Sequence, residues 1–306
     1  MSIRQSLAAM KKSNPSLFYR YVRYKRLANK ILIPDEKFVE QYYLNRHGVK
    51  PNLKEPRKYS EHVVKILMTP PPALKVQCAD KYEVRKYVEE KAGPEILNEI
   101  YGVYDSYKGF RESLNRLPQR FALKATHGAA WNYICRDKSA IDHKELKARV
   151  NFWLKSNFYY CQRERVYRDI KPRIICEKYL EDTSGELTDY KVYCFNGKPG
   201  FMHMVTGRYS QMVYNTYDTQ GNWMDIDFLR GKADRNVPLN PELPLRKLLE
   251  YSEKLSADFD YVRVDFYFVN KKFVFGELTF TPGHGNYGLP EEIDLQLGEF
   301  FNSEDA

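Results

Sequence analysis

Long apolar runs are missing from this chain: nothing approaches the roughly 18 consecutive apolar residues of a membrane-spanning helix, and the N-terminus has no signal-peptide core. Cysteine is scarce and odd in number. Cys78, Cys135, Cys161, Cys176 and Cys194 are scattered, with no CxxC and no Cys/His ligand spacing, which argues against a disulfide framework or a zinc site and for reduced thiols. Internal repeats, low-complexity segments and a convincing Ser/His/Asp or Cys/His set are absent too. These absences lead us to expect a cytoplasmic protein, or one held peripherally on the inner face of the cytoplasmic membrane.

Acidic residues are lacking at one end. Arg4, Lys11, Lys12, Arg20, Arg23, Lys25, Arg26 and Lys30 all precede the first of them, Asp35. Setting those eight aside leaves 41 of the 49 basic residues against 40 acidic ones, so nearly all of the net charge of +9 belongs to the N-terminal segment and the rest of the chain is almost neutral. Residues 16–33 have helical spacing, with Leu17, Phe18, Tyr21, Tyr24, Ala28, Ile31 and Leu32 on one broad face. Arg20, Arg23, Arg26 and Lys30 lie on the other, with Lys25 on the apolar side. Two readings stand: residues 1–33 lying on an anionic membrane surface, or a helix packed on its own domain with its basic face in solvent. No nucleic-acid motif accompanies the charge, so no nucleic-acid partner is expected.

Helical spacing also covers 35–47, 59–68, 81–91 (with Asp80 as N-cap), 142–158, 245–259 and 290–301. Residues 120–126 and 133–136 read as strands flanking the small-residue loop 127–132, and 173–180 as a buried strand. A hairpin turns at Asn196-Gly197, and another surrounds Thr219-Gln220-Gly221-Asn222. Helices and mostly antiparallel strands alternate without a βαβ rhythm, which gives an α+β class. The expected division is a helical basic accessory region at 1–74, a portion at 75–180 and a portion at 181–306.

The chemistry concentrates in YVRVDFYFVNKKFVFGELTFTPGHGNYG, residues 261–288. Two runs rich in Val, Phe and Tyr surround Asn270-Lys271-Lys272, which reads as a hairpin with a three-residue loop. Symmetry about Lys271 pairs Val269 with Phe273, Asp265 with Glu277 and Arg263 with Thr279, all on one face. Two facing carboxylates destabilise a hairpin unless a positive charge lies between them. Mg²⁺ suits such an oxygen-only site, and neutralisation of Asp265 by Arg263 is the alternative. Lys124, Asp189, Lys191 and Arg208 are further polar residues on strand faces. Basic groups for phosphates with two carboxylates for a metal form an inventory for polyphosphate chemistry. Met202 and Met204 are expected in the core.

The blocks DKYEVRKYVEEKAG, FALKATHG, IICEKYLED, DYKVYCFNGKP and VRVDFYFVNKKFVFGELTFTPG, in that order and over roughly residues 75 to 300, resemble the TupA-like branch of the ATP-grasp enzymes, found with bacterial surface-polysaccharide biosynthesis. The resemblance implies an ATP-grasp fold, with two α+β subdomains sandwiching ATP. It implies ATP and Mg²⁺ as cofactors. Lys124 would contact the α/β phosphates, with His127, Gly128 and Asn132 in the lid. Glu177, Lys178 and Leu180 would form the hinge at adenine, with Glu181 or Asp182 near the ribose and Asp189 in the same nucleotide-binding set. Lys191 would reach the phosphates, and Arg208 and Arg263 would offset charge on the transferred phosphoryl group. Asp265 and Glu277 would hold Mg²⁺, with Thr279 where the family usually has Asn. The lid departs from the pattern as well, since Ala129-Ala130-Trp131 replace glycines.

The activity implied is an ATP-dependent carboxylate–amine ligase acting through an acylphosphate. The partners implied are a sugar carboxylate or glycan acceptor of a surface polysaccharide and an amino acid or amine. A glycosyltransferase using Asp225-Ile226-Asp227 as its DxD, and a glycan kinase with the same ATP site, are the alternatives.

Overall fold

The structure, a computed structural model, describes residues 3–181, 187–207, 211–226, 228 and 233–302. It divides into two compact units that interleave in sequence: residues 1–38, 80–82 and 99–179 form unit 1, and 39–79, 83–98 and 180–306 form unit 2. Residues 1–74, expected as one accessory region, are therefore shared between the two.

Unit 1 contains helices α1 (Ile3–Ser13) and α2 (Pro15–Leu32) and the start of α3 (Asp35–His47). In unit 2 the later part of α3 is followed by α4 (Tyr59–Met68), α5 (Ala73–Ala79) and α6 (Val84–Ala92). Unit 1 resumes with β1 (Ile100–Tyr104), α7 (Tyr107–Ser113), β2 (Phe121–Ala125), β3 (Asn132–Cys135), α8 (His143–Lys155), α9 (Tyr159–Gln162) and β4 (Ile174–Lys178). Unit 2 closes with β5 (Asp189–Phe195), β6 (Lys198–Thr206), β7 (Val213–Asp218), β8 (Trp223–Met224), α10 (Leu245–Ser256), β9 (Tyr261–Val269), β10 (Lys272–Thr279) and α11 (Glu291–Glu299). Asp142 caps α8 as a helix-starting Asp should, accepting from the Lys144 and Glu145 amides. Asp80 does not cap α6. Its carboxylate accepts from the Tyr82 amide at 2.7 Å and from Arg173 at 2.8 Å, and the helix begins later, after Glu83.

The sheet of unit 1 runs β1-β4-β2-β3, with every neighbour antiparallel. Side chains alternate along β2. Phe121, Leu123 and Ala125 are buried, and Phe121 meets Phe110 of α7 edge-on. Lys124 therefore points to the opposite face, which it shares with Glu177 of β4.

α2 packs inward through side chains expected in solvent. The Arg26 guanidinium lies over Phe152 and the Lys30 ammonium over Tyr159, Tyr19 stacks on Phe152, and the Asn29 carbonyl accepts from Arg163. The stripe expected to pack inward is left outside: Leu17, Tyr21, Tyr24, Ile31 and Leu32 are exposed, the last two at 72% and 78%. The packed-helix reading is thus inverted, because long cationic stems make as much apolar contact as Leu or Ile.

Asp35 follows this helix and holds a knot of charge. It accepts from the Tyr159 hydroxyl and pairs with Lys30 and Arg163, each at 3.1 Å, the latter fully buried. Burial works to raise the Asp35 pKa, but the Tyr159 and Lys30 contacts outweigh it and hold the carboxyl below its ordinary value. Asp35→Asn should cost about 3 kcal/mol in urea unfolding at neutral pH, since it strands a buried guanidinium. Because the folded pKa is depressed, this stabilisation is present above the unfolded value of about 3.9 and fades as pH falls through the folded one. The gap between wild type and variant should close in acid.

The sheet of unit 2 runs β10-β9-β5-β6-β7-β8, again antiparallel throughout. One face carries Phe266 and Cys194 against Tyr251 and Ser252 of α10. On the other, Tyr193, Phe195, Phe201 and Tyr261 form an aromatic cluster with Tyr59 of α4, Tyr287 and Leu297 of α11. Each such ring contributes about 1.5–3 kcal/mol on burial. Met202 and Met204 are buried, as expected. The aromatic face continues along the strands into the polar row described next.

Candidate active site

The β9–β10 hairpin reaches the expected pairing by an unexpected route. Its turn has two residues, not three: Asn270 and Lys271 both have positive φ (51° and 61°), and Val269 faces Lys272, not Phe273. A regular ladder from that turn would put Gly276 opposite Asp265 and send Glu277 to the α10 face. Instead the register shifts between Phe275 and Glu277, so that Asp265 faces Glu277 and Arg263 faces Thr279. Glycine favours the shift, because a Cβ at Gly276 would lie 3.0 Å from the Asp265 carbonyl oxygen, closer than most side chains come to a backbone oxygen.

Facing pairs then line up across the sheet as Glu277, Asp265, Lys191, His203, Thr216 and Met224. The Arg263 guanidinium grips Asp265 with two bonds, Nε to Oδ1 at 2.6 Å and Nη2 to Oδ2 at 2.7 Å, and Lys191 Nζ donates to Oδ2 at 2.5 Å. Lys191 also lies 3.4 Å from Asp189. Arg263 Nη2 donates to Thr279 Oγ1 at 3.1 Å, and that hydroxyl donates to Glu277 Oε1 at 3.2 Å. Asp189, Lys191, Arg263 and Asp265 are buried, while the Glu277 side chain is 32% exposed. Burial opposes the charge on Lys191, but Asp265 outweighs it and keeps the ammonium above its ordinary pKa. The positive charge that facing carboxylates require is supplied here by Arg263 and Lys191.

Three carboxylates and two cations leave one negative charge in excess. A carboxylate offers about four acceptor positions. The bonds from Arg263 and Lys191 take three on Asp265, leaving one on Oδ1. That position, the Glu277 carboxylate and Thr279 Oγ1 are hard oxygen donors. Among the described residues no three His, Cys, Asp or Glu side chains form a ready-made cage, and Mg²⁺ asks for less, one or two carboxylates with water and phosphate completing its shell. The donor set fits that ion. Thr279→Asn keeps a neutral oxygen at the position and should leave turnover within about threefold of wild type, a loss under 1 kcal/mol, read as ADP release.

Sequence reasoning missed His203. Its ring is fully buried opposite Lys191, with Nδ1 3.1 Å from Thr216 Oγ1, and burial followed by the Arg263 and Lys191 charges pushes its pKa well below the ordinary value. It extends the row as a neutral imidazole. The usable signal was its distance from Lys191 across the Asn196-Gly197 turn, but another register shift, between Tyr193 and Cys194, obscured it.

In unit 1, Lys124 Nζ lies 2.6 Å from Glu177 Oε2 on the sheet face away from α7. The loop after β2 is pinned from beneath. The His127 ring, expected at the nucleotide, is buried instead and donates from Nε2 to the Trp153 carbonyl at 2.8 Å, and Trp131 packs on His127, Phe152 and Phe158. Its partners explain the departure: the Trp153 carbonyl and the Trp131 ring hold the imidazole in the core. Lys81, also missed, donates to the Gly128 carbonyl at 2.8 Å. Asn132 is exposed opposite Lys124, Lys178 is exposed, and Leu180 and Glu181 are half-buried. Asp182 and Arg208 lie outside the described residues, as does Asp227. Of the DxD, Asp225 makes an exposed ion pair with Arg235 and Ile226 is buried.

The description "TupA-like ATPgrasp" matches residues 65–302. The chain belongs to the TupA-like ATP-grasp family. Its two antiparallel sheets with flanking helices are the α+β architecture of the ATP-grasp fold. Similar solved structures include a D-alanine-D-alanine ligase from Helicobacter pylori (14% identity, 80% of this chain and 69% of that one, TM-score 0.44). The corresponding ligase from Bacillus anthracis is 16% identical over 74% of this chain and 66% of that one, with a TM-score of 0.42. An N5-carboxyaminoimidazole ribonucleotide synthetase from Thermus thermophilus is 14% identical over 69% of this chain, with a TM-score of 0.39, and the TupA-like chain spans only 47% of it. No curated protein matches the chain.

Proposed function

We propose that this TupA-like protein is an ATP- and Mg²⁺-dependent carboxylate–amine ligase, acting on a uronic-acid sugar of a bacterial surface polysaccharide with an amino acid or amine as co-substrate. The observation that carries the reading is the buried Asp189–Lys191–Asp265–Arg263 cluster with Glu277 and Thr279 at its outer end. Cations already fixed by neighbouring carboxylates need no reorganisation when phosphate charge arrives, which is the property electrostatic catalysis requires. Asp265 and Glu277, with Thr279, hold Mg²⁺, which when bound neutralises phosphate charge. Lys191 and Lys124 meet phosphate oxygens, and Glu177 orients Lys124. Arg263, with Arg208, offsets charge on the transferred phosphoryl group. Residues 177–180 and Asp182 take the adenosine, with Asp189 fixing Lys191 and the loop 127–132 covering the phosphates.

In such a reaction the carboxylate oxygen bonds the γ-phosphorus as ADP leaves, and an amine then displaces inorganic phosphate from the acylphosphate to form an amide. The test is incubation of purified protein with Mg-ATP and panels of uronates and amines, reading ADP, inorganic phosphate and amide mass. Equal release of all three is expected. ATP binding without ADP release, or label from the γ-phosphate retained on the glycan, defeats the reading.

The exposed stripe on α2, beside cations and without an acidic residue, supports a place on the anionic inner face of the membrane. Among the described residues no helix is long and apolar enough to cross one. Removing residues 1–33 would uncover Phe152, so Ile31→Ser/Leu32→Ser is the cleaner variant. It should weaken binding to anionic vesicles and leave ATP binding unchanged.

A further inference from the structure

α2 and α8 of unit 1 leave a cleft of about 210 Å³ between them. Arg20, Arg23 and Lys155 bring three positive charges to it, Ser16 and Asn151 bring a hydroxyl and an amide, and Phe152 forms its floor. Among the described residues no carboxylate pairs with any of the three cations. The acid on this stretch of α8, Glu145, already accepts two bonds from Arg149, at 2.9 and 2.7 Å, and one from the Tyr19 hydroxyl. Arg23 has an ordinary explanation, since it donates to the Lys155 carbonyl in the last turn of α8, where helix carbonyls lack partners. The Arg20 guanidinium and the Lys155 ammonium make no such bond among the described residues. Both are exposed and line the same small cleft, where like charges repel unless an anion lies among them.

We propose that this cleft binds a phosphate group, as a mono- or diester, carried by an anionic lipid or by a water-soluble phosphate. Guanidinium groups match phosphate oxygens in pairs and an ammonium adds a point charge, while the hydroxyl and amide supply neutral donors. Size separates the ligand from a nucleotide: pockets for whole cofactors run to roughly 300–1,000 Å³, so this cleft holds a headgroup-sized anion. Arg20 lies on α2 between exposed Leu17 and exposed Tyr21 and Tyr24, so an attached hydrocarbon chain has an apolar track beginning at the phosphate. The site is independent of the ligase reading.

The test is calorimetric titration of the full chain with inorganic phosphate and with dihexanoyl phosphatidate below its micelle concentration. Saturating Mg-ADP is present throughout to fill other phosphate subsites. Arg20→Gln/Lys155→Gln is compared with wild type and with Lys25→Gln, an exposed cation of α2 outside the cleft. At least tenfold weaker binding by the double variant, with Lys25→Gln like wild type, is expected. Loss for both probes means that the phosphate is recognised from either source, and binding and loss for phosphatidate alone assign the site to lipid. Binding of neither probe by wild type, or equal affinity in the double variant, overturns the proposal. Unchanged ADP affinity and thermal unfolding in the double variant keep this outcome separate from any failure of the ATP site.

Discussion

Asp265→Asn should abolish turnover, by about 10³-fold or more, and should also cost about 3–5 kcal/mol of stability. The second effect follows from burial. Asp265 is the shared counter-charge of Arg263 and Lys191, and an amide in its place leaves two buried cations with only Asp189, 3.4 Å from Lys191, and the part-exposed Glu277, 3.7 Å from Arg263, to balance them. Glu277→Gln separates the two roles. Its carboxylate is part-exposed and stands 3.7 Å from Arg263, so its loss should remove turnover while changing stability by no more than about 0.5 kcal/mol. ADP release and urea unfolding, run on both variants, check the pair. If Glu277→Gln destabilises as much as Asp265→Asn, Glu277 belongs to the buried charge network and not to the metal set.

Gly298→Ala should be nearly as damaging to the fold, although it adds one methyl group. A Cβ at that position would lie 2.0 Å from the Arg57 carbonyl oxygen and 3.0 Å from the Tyr59 amide nitrogen, both backbone atoms with little freedom to retreat. One turn earlier on α11, Asp294 accepts from the Ser60 amide at 2.9 Å and the Ser60 hydroxyl at 2.5 Å, fixing its carboxylate at the start of α4. The helix is therefore held by a bond on one side of the clash and by buried Leu297 beside it, and cannot slide to relieve it. The expected loss is about 3 kcal/mol or more, at the upper end for overpacking. A urea midpoint unchanged by the substitution would show that α11 does not approach residues 57–59 this closely.

Periodicity carried most of the fold. The spans 35–47 and 59–68 are helices as read, and Asn196-Gly197 turns its hairpin because Asn and Gly accept the positive φ of 49° and 80° found there. The same geometry at Asn270-Lys271 was illegible, since Lys rarely adopts it and the following Lys272 invites a longer loop. Amphipathicity misled on α2, where the spacing of apolar residues says which side chains share a face and nothing about which face a neighbour covers. The site was legible where alternation fixes facing, as at Asp265, Lys191 and Arg263. It was illegible where a ring's direction depends on packing far away in sequence, as with His127 and Trp131.

The irregularity at Gly276 has a consequence for how this hairpin can vary. Strand pairing obeys a parity: every residue added to a turn or lost from it exchanges the two faces for all that follows. One glycine of the opposite parity, Gly276, placed five residues beyond Lys271, cancels the count before it reaches Glu277. Turn length and site geometry are thereby uncoupled. A chain with a three-residue turn and no bulge, or a two-residue turn with one, presents the same carboxylates to the same face, so the tip is free to change while the ligand set stays in phase.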